Sequence, residues 1–281
     1  MQTESILRLR LRRPLEERLD ASCITPDLLA GRSRQEILQL SMPTSRSESK
    51  LQDWFDLEGD PSETVIIDGS CHLLDRVGAN MSRGKLYFKH DVGDYAGLQM
   101  RSGTLRIDGN CGDMAASAMR GGIFCCTCNA GNHLGAPVPG SLKGVQGGEI
   151  IIGGSVGDDA CHRMRRGVVW VVGDAGKRLA SNLLAGTVFI QGEVGADWGS
   201  GMRRGTILLH AAWLNRCAAQ LTSPHWLEFS FMPLLWKRIQ NLSIELKAEW
   251  LLASIPTQKD AHRRVGDRSL QGLAEILCLN G

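Results

Sequence analysis

"CHRMRRGVVWVVGDAG", residues 161 to 176, decides the fold. Met164 stands three residues before Gly167, β-formers follow, and Gly173 and Gly176 close the stretch. Alone, it reads as a phosphate-cradling loop or as one unit of a repeat. The rest of the chain repeats it. An apolar residue stands three before an anchor Gly at Met81/Gly84, Met100/Gly103, Met119/Gly122, Val145/Gly148, Met164/Gly167, Leu183/Gly186 and Met202/Gly205. Every step is 19 residues except one of 26, a repeat carrying seven inserted residues. Nine after the anchors come Gly93, Gly112, Gly131, Gly157, Gly176 and Gly195; six after come His90, Gly109, Cys128, Gly154, Gly173 and Gly192. A weaker first copy runs through Val65, Ile67, Gly69 and Cys71. No helical pattern follows Gly173 or Gly176, so the phosphate loop is set aside.

Each copy holds one strand. The second and fourth residues after the anchor are Leu86/Phe88, Leu105/Ile107, Phe124/Cys126, Ile150/Ile152, Val169/Val171, Val188/Ile190 and Ile207/Leu209. Period two puts both on one face. The anchor column and the column Cys71, Val92, Cys111, Ala130, Val156, Ala175, Val194 share that face. A short unit with one strand and Gly corners cannot bury its apolar side alone. Stacked copies can, which predicts a mainly β fold, a parallel β-solenoid of about eight coils spanning roughly 40 Å. Glycine suits its corners, where φ turns positive or backbones approach closely.

The flanks are not repetitive. Residues 1–60 read as a mixed N-terminal cap, with a strand near Ile6 to Leu11 and a short helix from Ser33, the N-cap, to Leu40. "MPTSRSESK", 42–50, is a polar loop. Arg8, Arg10, Arg12 and Arg13 alternate with Leu7, Leu9 and Leu11 and read as a solvated strand face. Residues 61–211 are the repeat region, with the insertion near 132–144. Residues 212–281 read as an α-rich extension, broken near Pro233 and Pro256 and ending in a strand at "AEILCLNG". These flanks cap the exposed edges of the stack. The third residue after each anchor should point outward, yet it is Ile66, Tyr87, Arg106, Cys125, Ile151, Trp170, Phe189 and Leu208. So apolar a column should not face water: it lies beneath the helical tail or against another subunit.

Bulk properties bound the partners. Lys and Arg number 32 against 30 Asp and Glu, a formal charge of +2, which gives no reason to expect nucleic acid or an acidic membrane. No apolar run approaches the roughly 18 residues of a membrane span, and no apolar signal segment opens the chain. Nine Cys without such a signal read as thiols in a reducing cytoplasm.

Catalytic patterns are scarce. Cys111, Cys125, Cys126 and Cys128 crowd together, but they fall in different columns and no second pair has ligand spacing, so no metal site is expected. The seven His are scattered. Asp158, Asp159, Asp174 and Asp197 recur in turns, where they serve as turn formers or as carboxylates of a glycan-cleaving solenoid. Arg101, Arg120, Arg165 and Arg203 share one column; Arg83, Arg166 and Arg204 share the next. Such a ladder repels itself, so it meets an anionic partner or forms a solvated ridge with local Asp partners. With Trp170 and Phe189 of the outward column, Arg101, Arg120, Arg165, Arg166, Arg203 and Arg204 are the interface candidates.

The segments "GANMSRGKLYFKHDVG", "LQMRSGTLRIDGNCG", "NAGNHLGAPVPGSLKGVQGGEIIIGGSVG", "RMRRGVVWVVGDAG" and "GSGMRRGTILL" resemble the C-type subunit of formylmethanofuran dehydrogenase and its counterpart in the bacterial formyltransferase/hydrolase complex. The repeat also resembles the C-terminal domain of glutamate synthase large subunits. "HLGAPVPGSLKG", "ITPDLLAG" and "RRVGDRSLQGLAEIL" favour the C-type subunit. The resemblance implies a right-handed parallel β-helix that serves as a non-catalytic scaffold. Its complex would transfer and hydrolyse a formyl group on methanofuran and tetrahydromethanopterin carriers. Formyltransferase and amidohydrolase-like subunits would do the chemistry, with the metals held there and no cofactor on this chain. The alternatives are the C-type subunit of a redox formylmethanofuran dehydrogenase, or a stand-alone solenoid acting on glycans.

Overall fold

The computed structural model describes residues 5–44, 47–257 and 260–279. Ser45 and Arg46 of the polar loop, and Asn280 and Gly281 of the terminal stretch, lie outside them. The first part holds β1 (Leu7–Leu11), β2 (Leu19–Asp20), α1 (Pro26–Leu29), α2 (Arg34–Leu38), α3 (Leu51–Trp54) and β3 (Phe55–Glu58). The repeats hold β4 (Thr64–Asp68), β5 (Leu74–Asp75), β6 (Lys85–Phe88), β7 (Thr104–Ile107), β8 (Ile123–Cys126), β9 (Gln146–Ile152), β10 (Arg166–Val171), β11 (Thr187–Ile190) and β12 (Thr206–His210). The tail holds β13 (His225–Glu228), α4 (Phe231–Glu245), β14 (Asp260–Gly266) and β15 (Ala274–Leu279).

The protein is mainly β, with few helices. One 13-stranded sheet runs β13-β14-β15-β12-β11-β10-β9-β8-β7-β6-β4-β1-β3. Its neighbours are parallel from β1 to β15 and antiparallel only at the ends. The register is the sequence repeat made visible. Leu7, Val65, Leu86, Leu105, Phe124, Ile150, Val169, Val188, Ile207 and Ile276 follow one another strand by strand. All ten are fully buried. A one-residue slip would turn this whole row to the opposite face, so burial fixes the register. A second row of parallel bridges joins Cys111, Ala130, Val156, Ala175 and Val194, and its side chains enter the same apolar core.

The first element follows its local signals. Leu7 and Leu9 are buried while Arg8 and Arg10 are exposed, as alternation requires. Ser33 caps α2, and Glu36 returns the bond to the Ser33 amide in a capping box.

The tail departs from expectation. Pro233 does not break a helix: it sits in the first turn of α4, where its missing N–H leaves no hydrogen bond unmade. Trp226, expected in a helix, lies on β13, half exposed. The strands β13 and β14 were not expected at all. β15 joins β12 in parallel, and β14 and β13 extend the sheet beyond it. That end of the sheet is lengthened by strands and not closed by helices.

Candidate functional site

The outward column is covered from within the chain. α4 buries Met232, Trp236, Ile239 and Leu242, spaced four, three and three residues apart on one helical face. They pack on Cys125, Ile151, Trp170, Phe189 and Leu208 in a second apolar cluster. Trp170 stacks on Phe189 at 3.9 Å between centroids, and Trp236 meets Trp170 edge-on at 5.6 Å. The Trp170 indole N–H donates to Ser254 Oγ at 3.0 Å. Arg238 grips Glu149 with two hydrogen bonds, of 2.7 and 2.5 Å, and so fastens α4 to β9. Of the two places expected for Trp170 and Phe189, beneath the helical tail or against another subunit, they take the first: they are 0% and 1% exposed beneath the chain's own helix.

Three of the four turn carboxylates, Asp158, Asp159 and Asp174, are engaged by the next repeat. Asp75, Asp94, Asp113, Asn132 and Asp158 each accept, through Oδ1, the backbone N–H of Asp94, Asp113, Asn132, Asp158 and Lys177 in turn, at 2.7–2.9 Å. A second file runs Asp91, Asn110, Asn129, Ser155, Asp174, Glu193, again side chain to following amide. Both files mix Asp with Asn, and one contains Ser. The repeat therefore needs an acceptor there and not a charge. Asp159 pairs with Arg178, whose hydrogen bond holds its carboxyl below the usual range. Asp158→Asn should leave the thermal midpoint nearly unchanged, whereas Asp158→Ala, which orphans the Lys177 amide, should cost about 1 kcal/mol. Paired thermal melts check this; equal losses in both variants would show that charge matters after all.

The two Gly columns separate into two causes. The anchors Gly84, Gly103, Gly122, Gly148, Gly167, Gly186 and Gly205 all have positive φ, from +76° to +106°. Gly93, Gly112, Gly131, Gly157, Gly176 and Gly195 do not. They are excluded from bearing a side chain by crowding: a Cβ on Gly112 would lie 2.1 Å from Asp94 Oδ1. The acceptor files therefore explain five of these six; at Gly195 the crowding comes from the backbone of Gly176 and Lys177.

The thiols are buried where the columns put them. Burial pushes Cys71, Cys125 and Cys161 up to about 12. Cys111 lies beside Cys126, which raises it further; Cys128 is exposed. Among the described residues, no three His, Cys, Asp or Glu side chains are grouped to hold a metal ion.

One pair was missed by sequence reasoning. His162 Nδ1 lies 2.7 Å from Ser181 Oγ, one repeat away. Arg163 Nε donates to His162 Nε2 at 3.2 Å, which leaves the ring proton on Nδ1, pointing at Ser181. The ring donates to the hydroxyl oxygen and cannot take its proton, so this is a structural contact and not a nucleophile–base pair. Burial, then the Arg163 charge, lowers the His162 pKa below its ordinary 6.5. The unfolded chain therefore takes its proton first as the pH falls through 6.5, and stability declines until the lower folded value is passed. His162→Gln should flatten that part of a melting-point-against-pH profile; an unchanged slope would overturn the assignment.

The arginines stand apart. The amides of Arg101, Arg120, Gln146, Arg165, Leu184 and Arg203 each donate to the carbonyl of the apolar residue three before the preceding repeat's anchor Gly, at 2.7–2.9 Å. The six positions therefore form one file along consecutive repeats. Arg101, Arg120, Arg166, Arg203 and Arg204 are exposed and Arg165 is partly covered. Among the described residues none of these six side chains has a hydrogen bond or ion pair. Arg83, in the same region, pairs with Glu63 and Asp27. Lys143, brought by the insertion, joins Gln146, Arg165, Arg166, Leu184 and Ala185 around a surface hollow of about 450 Å³. Arg165 Nε is buried there without an acceptor.

These features define a mainly β protein on one large, mostly parallel sheet, with two files of turn acceptors bound to its own backbone and its basic file unpaired. Comparison with known proteins carries this further. No family model matches the chain. Over 85 residues it is 44% identical to the C-type subunit of the formyltransferase/hydrolase complex Fhc of Methylorubrum extorquens, covering 30% of this chain and 32% of that one. It is 33% identical over 84 residues to the C-type subunit of tungsten-containing formylmethanofuran dehydrogenase 2 of Methanothermobacter thermautotrophicus, covering 28% and 31%. These alignments span about a third of the curated relatives' length. The structural likeness is wider. A chain of the X-ray crystal structure of the formyltransferase/hydrolase complex (FhcABCD) from Methylorubrum extorquens, in complex with methylofuran, matches with a TM-score of 0.80 at 32% identity. The match covers 96% of this chain and 98% of that one. The chain belongs to the family of C-type subunits of the formyltransferase/hydrolase and formylmethanofuran dehydrogenase complexes.

Proposed function

We propose that this chain is the non-catalytic scaffold subunit of a complex that transfers and hydrolyses a formyl group held on a methanofuran-type carrier. The observation that carries the reading is the likeness to a chain of the methylofuran-bound complex over nearly the whole length of both. In this reading residues 61–211 wind as a right-handed parallel β-helix of about eight coils. Residues 1–60 cap one end, and 212–281 form the C-terminal extension. Strand-to-parallel-strand connections are right-handed in about 98% of cases, which favours that hand. Formyltransferase and amidohydrolase-like subunits are the partners and carry the metals; tetrahydromethanopterin is the second carrier, and the complex works in the cytoplasm. The engaged turn acids support a non-catalytic role. They also weigh against glycan cleavage, because Asp158 and Asp174 already hold the amides of Lys177 and Glu193. The higher identity to the hydrolytic relative favours that complex over the redox one. No helix among the described residues is long and apolar enough to cross a membrane.

Affinity purification of the tagged chain from its own cells tests the proposal. The expected result is co-purification of a formyltransferase and an amidohydrolase-like subunit in fixed proportion. A tagged chain recovered as a monomer without either would overturn it.

A further inference from the structure

From the unpaired arginine file we infer a docking track for an extended acidic segment of a partner protein chain, with Lys143, Arg165 and Arg166 as its focus. Several arginines elsewhere on this surface find acids, as Arg12 meets Asp56, Arg178 meets Asp159, and Arg263 meets Glu275. Along the file from Arg101 to Arg203 they find none, although the repeats hold like charges side by side. Neighbouring repeats lie about 4.8 Å apart, so five steps give a track of roughly 24 Å. Self-repulsion of this kind is relieved by anions at the same spacing. The buried Arg165 Nε is the sharpest point of the case, because a guanidinium N–H shielded from water calls for an acceptor.

The shape of the track selects the anion. One small anion fills the hollow at Lys143 but leaves Arg101, Arg120, Arg203 and Arg204 unmatched. Single-stranded nucleic acid needs aromatic platforms beside the cations. The file offers Gln146, Leu184 and Ala185 instead, and the chain's net charge is only +2. An extended polypeptide advances about 3.3 Å per residue, so about seven residues cover the track, with side chains on alternate residues facing it. Acidic residues at those alternate positions would face the track about 6.6 Å apart, within the swing of Arg and Lys side chains. The backbone amides beneath the file are already bonded within the chain, so recognition is by side chains alone.

The inference rests on the scaffold reading only in naming the partner a subunit; binding to the track is measured on this chain by itself. The probe is a labelled peptide of about eight alternating Glu and Thr residues, titrated by fluorescence anisotropy against the full chain. It should bind at about 50 mM salt and weaken roughly tenfold at about 200 mM. The combined variant Lys143→Gln, Arg165→Gln, Arg166→Gln should weaken it at least about tenfold without shifting the thermal midpoint. Because that variant removes a partly buried side chain, the exposed pair Arg203→Gln, Arg204→Gln provides a second reading, with a loss of several-fold. Three results would each overturn the inference. One is equal binding of the peptide with Gln in place of Glu. Another is unchanged binding to both variants. The last is tighter binding of a thymidine oligonucleotide than of the peptide.

Discussion

Trp170→Ala is expected to lower the thermal midpoint by about 10 °C, the largest loss from any single truncation under α4. The indole is fully buried, sandwiched between the sheet and the helix. Its removal forfeits the transfer energy of the largest side chain and leaves a cavity that α4 cannot close. Arg238 ties the helix to Glu149, which limits its descent toward the sheet. Truncations of this kind cost roughly 3–5 kcal/mol. Ser254 also loses its donor. Trp170→Phe keeps most of the apolar mass and loses the hydrogen bond, so it should cost nearer about 1 kcal/mol. Thermal melts of the three proteins decide it. A Trp170→Ala midpoint within about 2 °C of the parent would mean that α4 does not rest on this column.

Gly167→Ala is the second large effect, for an unrelated reason. Gly167 has a φ of +101°, and an added Cβ would come within 2.6 Å of the Gly148 carbonyl oxygen. That oxygen belongs to the preceding repeat's backbone, which the flanking strands hold in register, so it cannot step aside alone. Left-handed strain and overpacking together should cost about 3 kcal/mol or more. Gly31→Ala serves as the control, since nothing lies within 4 Å of the carbon it would add. Urea midpoints of both variants test the contrast; similar midpoints would remove the steric account.

Sequence and structure agree where a property repeats and part where it depends on a distant partner. Leu105, Phe124 and Ile150 are legible as one buried row because alternation and a 19-residue step leave a single way to stack them. Gly112 and Gly176 are legible as recurrent, but not as to cause, since the atoms that crowd them come from Asp94 and Asp158 one repeat earlier. The signal was nonetheless present: Asp94, Asp113, Asn132 and Asp158 are four successive side-chain acceptors in one column, which ends at Lys177. Arg165 was readable as a member of a file of like charges. Its unbonded Nε needed the fold, because the insertion that brings Lys143 beside it has no counterpart in other repeats. The tail was least legible. β14 exists because β15 offers it an edge, and nothing within residues 260–266 announces that edge.

The acceptor files have a direction. In every link the side chain lies in the earlier repeat and the amide in the later one, whether 19 or 26 residues separate them. A chain lengthening from its N-terminus therefore meets, at each turn, a finished row of oxygens waiting for the next stretch of backbone. The stack is vectorial in that sense: each layer carries the acceptors that its successor's backbone uses, so a repeat added on the C-terminal side finds its partners already in place.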